Sequence, residues 1–317
     1  MKDGLKENIL VTGGAGFIGS HLVEELVRNG CKVTIIDDFS NGRVENLAAV
    51  KKYVKIIRGD ISVPLSKIKT LLKNCSPKKI FHLACHPRSL SLTNPFRDLE
   101  VNAKGTLNVL EFARTNSCKV IFTSNSGIYG EPKYLPIDEK HEDNPTTPYD
   151  ANKLASEYYF KIYHRIYGLP IAICRLATVY GERQRAKPDW KPVIAEFVRK
   201  LLANNAPTIC WDGNQTRDLI YVEDVVQGLI KASDSTTKDE ICILGTNTET
   251  SINEIYNIVC RALNKRVEPI RKAKMPGDIR RMRYSYTKAN KTFSFKPRYN
   301  LEDGIRCYVD WAQKTIT

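Results

Sequence analysis

Short apolar runs recur along the first half of the chain, and each gives way to a polar turn and then to apolar residues at helical spacing. The first run, Ile9-Leu10-Val11, is of the kind that a strand buried on both faces shows. Thr12-Gly13-Gly14-Ala15-Gly16-Phe17-Ile18-Gly19 follows it. Residues 21–29 then carry Leu22, Val23, Leu26 and Val27 at helical spacing, with Gly30 where a helix C-cap belongs. Residues 33–36 predict a second strand that ends on Asp37, and 53–57, 80–84, 119–123 and 171–174 predict four more. Between them the spacing predicts a helix from about Ser66, one long amphipathic helix over 95–115, and a tyrosine-rich helix over 149–167. Strand and helix alternating in this way predict an α/β fold, a doubly wound parallel sheet with right-handed crossovers.

Beyond Arg175 the pattern loosens. Helices are expected over 192–204, 222–232, 251–263 and 301–314, and strands over 218–222 and 241–244. This divides the chain into an α/β domain over 1–175, to which 212–246 returns, and a smaller C-terminal lobe over 176–211 and 247–317. Composition changes little: 317 residues, 42% hydrophobic and 26% charged, describe an ordinary globular protein. No apolar run approaches the length of a membrane span. The charged residues before Asn8 suggest no signal peptide. Nine cysteines without CxxC spacing, among them Cys85, Cys118, Cys174 and Cys242 in or beside apolar strands, read as small buried hydrophobes of a cytoplasmic protein. Charge changes more. Residues 261–300 hold thirteen Lys and Arg against Glu268 and Asp278, a net +11 within a chain total of +14. Such a block suits a phosphate-bearing partner, a nucleotide-sugar or a nucleic acid, and equally a solvated basic surface.

Candidate chemistry begins at the glycine-rich turn. Its glycines let the backbone turn sharply and approach a pyrophosphate, which the following helix N-terminus favours electrostatically. Asp37, about twenty residues on, is placed for the hydroxyls of an adenosine ribose. Strand before, helix after and acid at this distance together indicate a bound dinucleotide. Tyr149-Asp150-Ala151-Asn152-Lys153 puts a phenol and an ammonium on one helix face. A tyrosine needs its pKa of ~10 lowered by about 3 units to serve as a base near neutrality, and a nearby ammonium with a positive nicotinamide ring can supply that. Taken alone, YxxxK is common in helices; behind a cofactor turn and a fifth strand it is informative.

These motifs, with Gly59-Asp60-Ile61, His82-Leu83-Ala84, Val179-Tyr180-Gly181 and Asp212 to Asp218, resemble the extended short-chain dehydrogenase/reductases of the NAD-dependent nucleotide-sugar epimerase/dehydratase family, most closely the UDP-galactose 4-epimerases. The resemblance covers nearly the whole chain. It implies a Rossmann fold whose cofactor is NAD, held at the pyrophosphate by Gly13, Gly16, Phe17, Ile18 and Gly19. Asp37, Asp38 and Asn41 would surround the adenosine ribose, and Asp60 and Ile61 the adenine. Leu83, Ala84 and Asn102 would line the nicotinamide side. Tyr149 would be the catalytic base, and Lys153 would bond the nicotinamide ribose and lower the Tyr149 pKa. Ser124, Asn125, Thr178, Arg217 and Arg280 would meet the sugar or the nucleotide diphosphate, with a UDP-hexose as substrate and no metal. It also implies a homodimer, in which the Tyr149 helix and the long helix before it pair with those of a second copy.

Three departures from the family pattern bear on activity. Asn125 stands where relatives carry Ser or Thr, and an amide donates a hydrogen bond but relays no proton. Arg175-Leu176-Ala177-Thr178 replaces the usual aromatic and asparagine. Ser126-Gly127 replaces the Asp-Glu pair of the dehydratases. The expectation is therefore a 4-epimerase. The rivals are a dehydratase or decarboxylase of the same family and, from another class, a Rossmann fold turned to RNA, against which the intact Tyr149 and Lys153 argue. No arginine adjoins Asp37-Asp38 in sequence, so NAD is expected over NADP.

Overall fold

The computed structural model describes residues 7–186, 191–236, 239–274 and 278–315. In chain order the first elements are β1 (Asn8–Thr12), α1 (Phe17–Arg28), β2 (Lys32–Asp37), β3 (Val54–Arg58), α2 (Leu65–Leu71) and β4 (Lys79–His82). There follow α3 (Arg88–Ser91), α4 (Pro95–Asp98), a π-helical turn over Leu99–Lys104, α5 (Gly105–Asn116), β5 (Lys119–Asn125), α6 (Pro148–Tyr167) and β6 (Ile171–Leu176). The remainder holds β7 (Thr178–Tyr180), α7 (Val193–Leu202), β8 (Thr208–Cys210), β9 (Thr216–Arg217), β10 (Leu219–Tyr221), α8 (Val222–Asp234), β11 (Asp239–Leu244), β12 (Thr250–Ser251), α9 (Ile252–Leu263), β13 (Ile270–Lys272), α10 (Thr287–Phe293) and α11 (Leu301–Thr315).

Seven strands form one sheet in the order β11-β6-β5-β4-β1-β2-β3. Pairing is parallel where β1 meets β2 and β4, where β2 meets β3 and where β4 meets β5. The strand order reverses at β1, which leaves a crevice beyond the carboxyl ends of β1 and β4, where doubly wound sheets take their ligands. The strands are apolar on both faces because helices cover both. Leu10, Ile80, Val120 and Phe122 pack with Leu110 and Phe112 of α5 and with Phe160 of α6 in one buried cluster.

Two compact units result. One comprises the chain up to Ile128 with Thr147–Arg175 and Val226–Cys242; the other comprises Tyr129–Thr146, Leu176–Val225 and the chain from Ile243 on. The returning segment is thus Val226–Cys242, a shorter stretch than 212–246, and residues 129–146 count with the second unit. There the N–H of Ile137 donates to Arg283 O (2.8 Å), and that of Ser285 to Ile137 O (2.8 Å). In this second unit β10 pairs with β7, β12 with β9 and β13 with β8. Asp218, fully buried, accepts from the N–H groups of Thr246, Asn247 and Tyr284 and from the Thr246 hydroxyl. One carboxylate thereby fixes β9 and β10 against two loops.

The long helix expected over 95–115 forms without a break, with a π-helical turn over Leu99–Lys104 between α4 and α5. The reason lies in Asn102. Its carbonyl accepts from the Thr106 hydroxyl (2.7 Å) and from the Ser156 hydroxyl of α6 (2.6 Å), so side chains take the acceptor that a regular ladder would use. The aromatic stripe of α6 also divides. Tyr159 and Tyr163 pack on the core, whereas Tyr158, Ile166 and Tyr167 are exposed, as are Phe96 and Leu99. Cys118, Cys174 and Cys242 are buried as expected, but Cys85 is exposed because β4 ends at His82, before it is reached.

Glu157 and Arg175 tie α6 to β6. The Arg175 Nε donates to Glu157 Oε1 (3.0 Å) and Nη2 to Oε2 (2.6 Å), with both side chains almost wholly out of water. Removing one partner strands a buried charge. Glu157→Ala should therefore destabilise the fold by about 3–5 kcal/mol, and the double change to Met at 157 and 175 by clearly less. Urea unfolding midpoints measure both, and a Glu157→Ala cost under about 1 kcal/mol would return the pair to the class of surface bridges.

Candidate active site

The site grows from the end of β1. Gly13 has φ +71°, and a Cβ there would lie 2.6 Å from Ala84 N, so only glycine lets the turn pass this close to the chain leaving β4. A Cβ on Gly19 would lie 2.2 Å from Gly13 O. Gly16 caps α1 without any side-chain hydrogen bond, and the first turn of α1 holds no acidic residue. Its N–H groups, at Phe17, Ile18 and Gly19, are thus left for an anion. A cradle that a Cβ would fill, under an uncapped helix of twelve residues, fits the pyrophosphate of a dinucleotide.

Asp37 closes this turn. Its Oδ2 accepts from Ala15 N (2.9 Å) and its Oδ1 from Phe39 N (2.8 Å). Burial raises its pKa, against the pull of these two N–H groups. Asp38 accepts from Ser40 N and Oγ, and Asn41 lies exposed in the same loop. Asp60 accepts from Ser62 N (2.8 Å) and Oγ (2.7 Å), beside the buried Ile61. Sequence reasoning missed Arg97. From α4 it donates to Asp60 Oδ2 (2.7 Å) and to Ser62 Oγ (2.8 Å) and stands 3.6 Å from Asp38. So an arginine does adjoin the acidic pair, brought there by a helix some sixty residues away, and nothing in its surrounding sequence marks it.

A directed chain of hydrogen bonds runs behind the turn. Thr106 donates its hydroxyl to Asn102 O, so its oxygen can only accept from His82 Nε2 (3.0 Å), which places the ring proton there. His82 Nδ1 then accepts from the Thr12 hydroxyl (2.7 Å), whose oxygen in turn accepts from Ala84 N (3.2 Å). Asn102 takes His86 N with its Oδ1 (3.0 Å) and donates Nδ2 to His86 O (3.2 Å) and to Asp98 (2.9 Å). Leu83 and Ala84 are thereby held in place beside Gly13. His86 is likewise held, through both of its backbone groups.

Tyr149 sits in the first turn of α6, which starts cleanly because Thr147 caps it and Pro148 opens it. Lys153, 2% exposed, donates to Thr123 O (2.8 Å) and lies over the Phe122 ring and 5.9 Å from the Tyr149 ring centre. Burial lowers the Lys153 pKa. Burial also pushes the Tyr149 phenol well above its usual value, and Cys85, Asp150 and Asp98 push the same way. The protein alone therefore keeps the phenol protonated, and Lys153 does not outweigh these neighbours. Asp150, fully buried, is met by Arg88 (Nη2, 3.2 Å) and by the Thr147 hydroxyl (2.7 Å).

At the end of β5, Asn125 Oδ1 accepts from Gly127 N (2.6 Å), which fixes the amide and leaves Nδ2 as its donor. That Nδ2 and the Ser124 Oγ are buried with no hydrogen-bond partner. Unmet buried donors at the carboxyl end of a central strand are what a polar ligand satisfies. In the second unit, the expected substrate residues are already engaged. Arg217 donates to Thr216 O, Ile279 O and Asp278, and Arg280 makes a two-pronged bond to Asp212 (2.8 and 2.9 Å) over the Trp211 ring. Thr178 is exposed, and its N–H donates to Asp218 O.

Residues 10–308 match the family profile described as GDP-mannose 4,6 dehydratase. Among relatives, a Methanocaldococcus jannaschii protein provisionally named a UDP-glucose 4-epimerase is 38% identical over 96% of this chain and 98% of its own length. A UDP-glucuronic acid decarboxylase of Arabidopsis thaliana is 32% identical over 94% and 86%. Among solved structures, the Thermotoga maritima UDP-glucose 4-epimerase with UDP-glucose superposes at a TM-score of 0.93 and 33% identity, covering 98% of this chain and all of the other.

His82 sets a pH limit. Burial, with Lys153 nearby, lowers its pKa from 6.5 to about 3. Between those values the unfolded chain binds a proton that the fold refuses, so this contribution to stability is present above about pH 6.5 and is lost as pH falls, by up to about 1.4 kcal/mol per unit. His82→Gln should flatten the fall in stability between about pH 6 and 4 by close to one proton, read from urea unfolding at several pH values. An unchanged slope would place the uptake on other groups.

Proposed function

The chain belongs to the GDP-mannose 4,6-dehydratase family of NAD-dependent epimerases and dehydratases, and on that premise we propose that it is a 4-epimerase of UDP-hexoses. The observation that carries the reading is the end of β5 with the loop after it. Asn125 offers a fixed, unpartnered donor beside the Tyr149 helix, and Ser126-Gly127 offers no group that titrates near neutrality. Inversion at C4 needs one proton shuttle and a donor to hold O4. Elimination of water needs a further acid and base, which this loop lacks.

When bound by the turn at Gly13, NAD would supply the acceptor for the C4 hydride, the donor that returns it to the other face, and a positive ring that favours the phenolate. Tyr149 holds and moves the O4 proton. Asn125 Nδ2, with Ser124 Oγ beside it in the chain, donates to the sugar oxygen and keeps O4 in line. Lys153, anchored on Thr123 O, keeps a positive charge within 6 Å of the phenol ring. Arg217 and Arg280 are assigned to the nucleotide diphosphate, whose oxygens would take the places now held by Asp278 and Asp212, because guanidinium forks suit both anions equally. A firm grip on the nucleotide with a loose one on the sugar lets the 4-keto sugar present either face. Tyr158, Ile166, Tyr167, Phe96 and Leu99 give a second copy an apolar face on which to pack.

Product analysis by NMR with UDP-glucose and UDP-galactose tests the assignment. The C4 epimer is expected; a 4-keto-6-deoxy sugar, or pentose from a UDP-hexuronic acid, would move the chain to its dehydratase or decarboxylase relatives. Tyr149→Phe should lower turnover ~10²-fold or more while the purified protein still holds NAD. Retention of over a tenth of turnover would place the base elsewhere.

Asn125 gives a separate test of the loop. Asn125→Ala should lower turnover, because O4 loses its donor, whereas Asn125→Thr should keep or raise it. Equal turnover in all three proteins would remove Asn125 from contact with the sugar.

A further inference from the structure

We propose that Arg97 decides which dinucleotide this site accepts: tied to Asp38 and Asp60, its guanidinium is withheld from a 2′-phosphate. The inference rests on the reading of the turn at Gly13 as a dinucleotide site. Four observations carry it. Asp37 ends β2 and Asp38 follows it, where the adenosine ribose of such a ligand lies. Arg97 reaches Asp38 from α4 and is 29% exposed, so it is partly in water and not part of the core. Its Nη2 is 2.7 Å from Asp60 Oδ2 and 3.6 Å from Asp38 Oδ2, and its Nη1 is 2.8 Å from Ser62 Oγ and 3.5 Å from Glu100. The contact to Asp38 is thus the looser of the two aspartate contacts. Burial would raise the Asp60 pKa, but its Ser62 and Arg97 donors prevail and lower it, as expected of a settled ion pair.

A guanidinium beside the ribose is the group that receives a 2′-phosphate in dinucleotide sites selective for NADP. Here three carboxylates, Asp60, Glu100 and Asp38, compensate its charge, and Asp38 is the one that a phosphate dianion at the ribose would have to approach. Neutralising Asp38 removes that charge and leaves one edge of the Arg97 fork open, while the Asp60 bond still aims it. Two other arginines lie nearby in the chain. Arg58 is engaged over the Phe39 ring (5.9 Å), and Arg43 follows the loop. The experiment must therefore separate Arg97 from its neighbours.

Displacement of bound NAD from the purified full-length protein, by added NAD or NADP, reads the selectivity without turnover. The wild-type protein should prefer NAD by tenfold or more. Asp38→Asn should tighten NADP by roughly three- to fivefold, the size of one partly exposed charge contact. The gain should vanish in Asp38→Asn/Arg97→Gln, survive in part in Asp38→Asn/Arg97→Lys, and survive in full in Asp38→Asn/Arg58→Met. A gain that persists without Arg97, or no gain from Asp38→Asn, overturns the proposal. A wild-type protein that binds neither nucleotide overturns the dinucleotide reading itself, which is a different result.

Discussion

The close approach of two backbones, the turn at Gly13 and the chain leaving β4 at Ala84, is the constraint on which the site depends. A single Cβ at Gly13 would come within 2.6 Å of Ala84 N. That proximity brings the Thr12 hydroxyl to Ala84 N and to His82, and through His82 to Thr106 and Asn102. Each hydroxyl in this chain has one proton and spends it in one direction, so the pieces are mutually ordered and not merely adjacent. The π-helical turn belongs to the same constraint. With the carbonyl of Asn102 taken by two hydroxyls, its side chain is free to clamp both backbone groups of His86. The loop that would face a nicotinamide is thus pinned from behind.

The electrostatics of Tyr149 fit this arrangement. In a dry site with two buried aspartates nearby, the phenol stays protonated, and Lys153, itself penalised by burial, does not reverse that. For Tyr149 to act as the base proposed above, an added positive charge at the site is needed. Arg88 on Asp150 and Asn102 with Asn152 on Asp98 restrain the two carboxylates that would otherwise disfavour the phenolate further.

The second unit is governed by carboxylates in another way. Asp218, buried, gathers four donors and is structural. Asp212 and Asp278 hold arginines that phosphates could hold instead, and Arg280 also rests on Trp211. The basic block over 261–300 is therefore partly compensated within the fold: Arg281 pairs with Glu249, and Arg261 with Glu302. A count of charges along the chain overstates the positive surface, because its partners lie far away in sequence.

The sequence by itself determined the alternation of strand and helix, the glycine turn, the acid at the end of β2, and the tyrosine and lysine of α6. These are local facts. A strand buried on both faces must be apolar throughout, a positive φ calls for glycine, and four residues of helix return a side chain to the same face. Resemblance to a family then joined them into one site. Tertiary structure alone decided what crosses between elements. It put a π-helical turn at Asn102 into the helix over 95–115, because hydroxyls of Thr106 and Ser156 compete for one carbonyl. It fixed the Asn125 amide on Gly127 and so chose which end of that side chain is free. It set Arg97 between Asp38 and Asp60, reversing the impression that no arginine adjoins them. Such contacts carry no periodicity and no fixed spacing, since the chain length between partners does not enter the energy of a hydrogen bond once the fold has closed the loop.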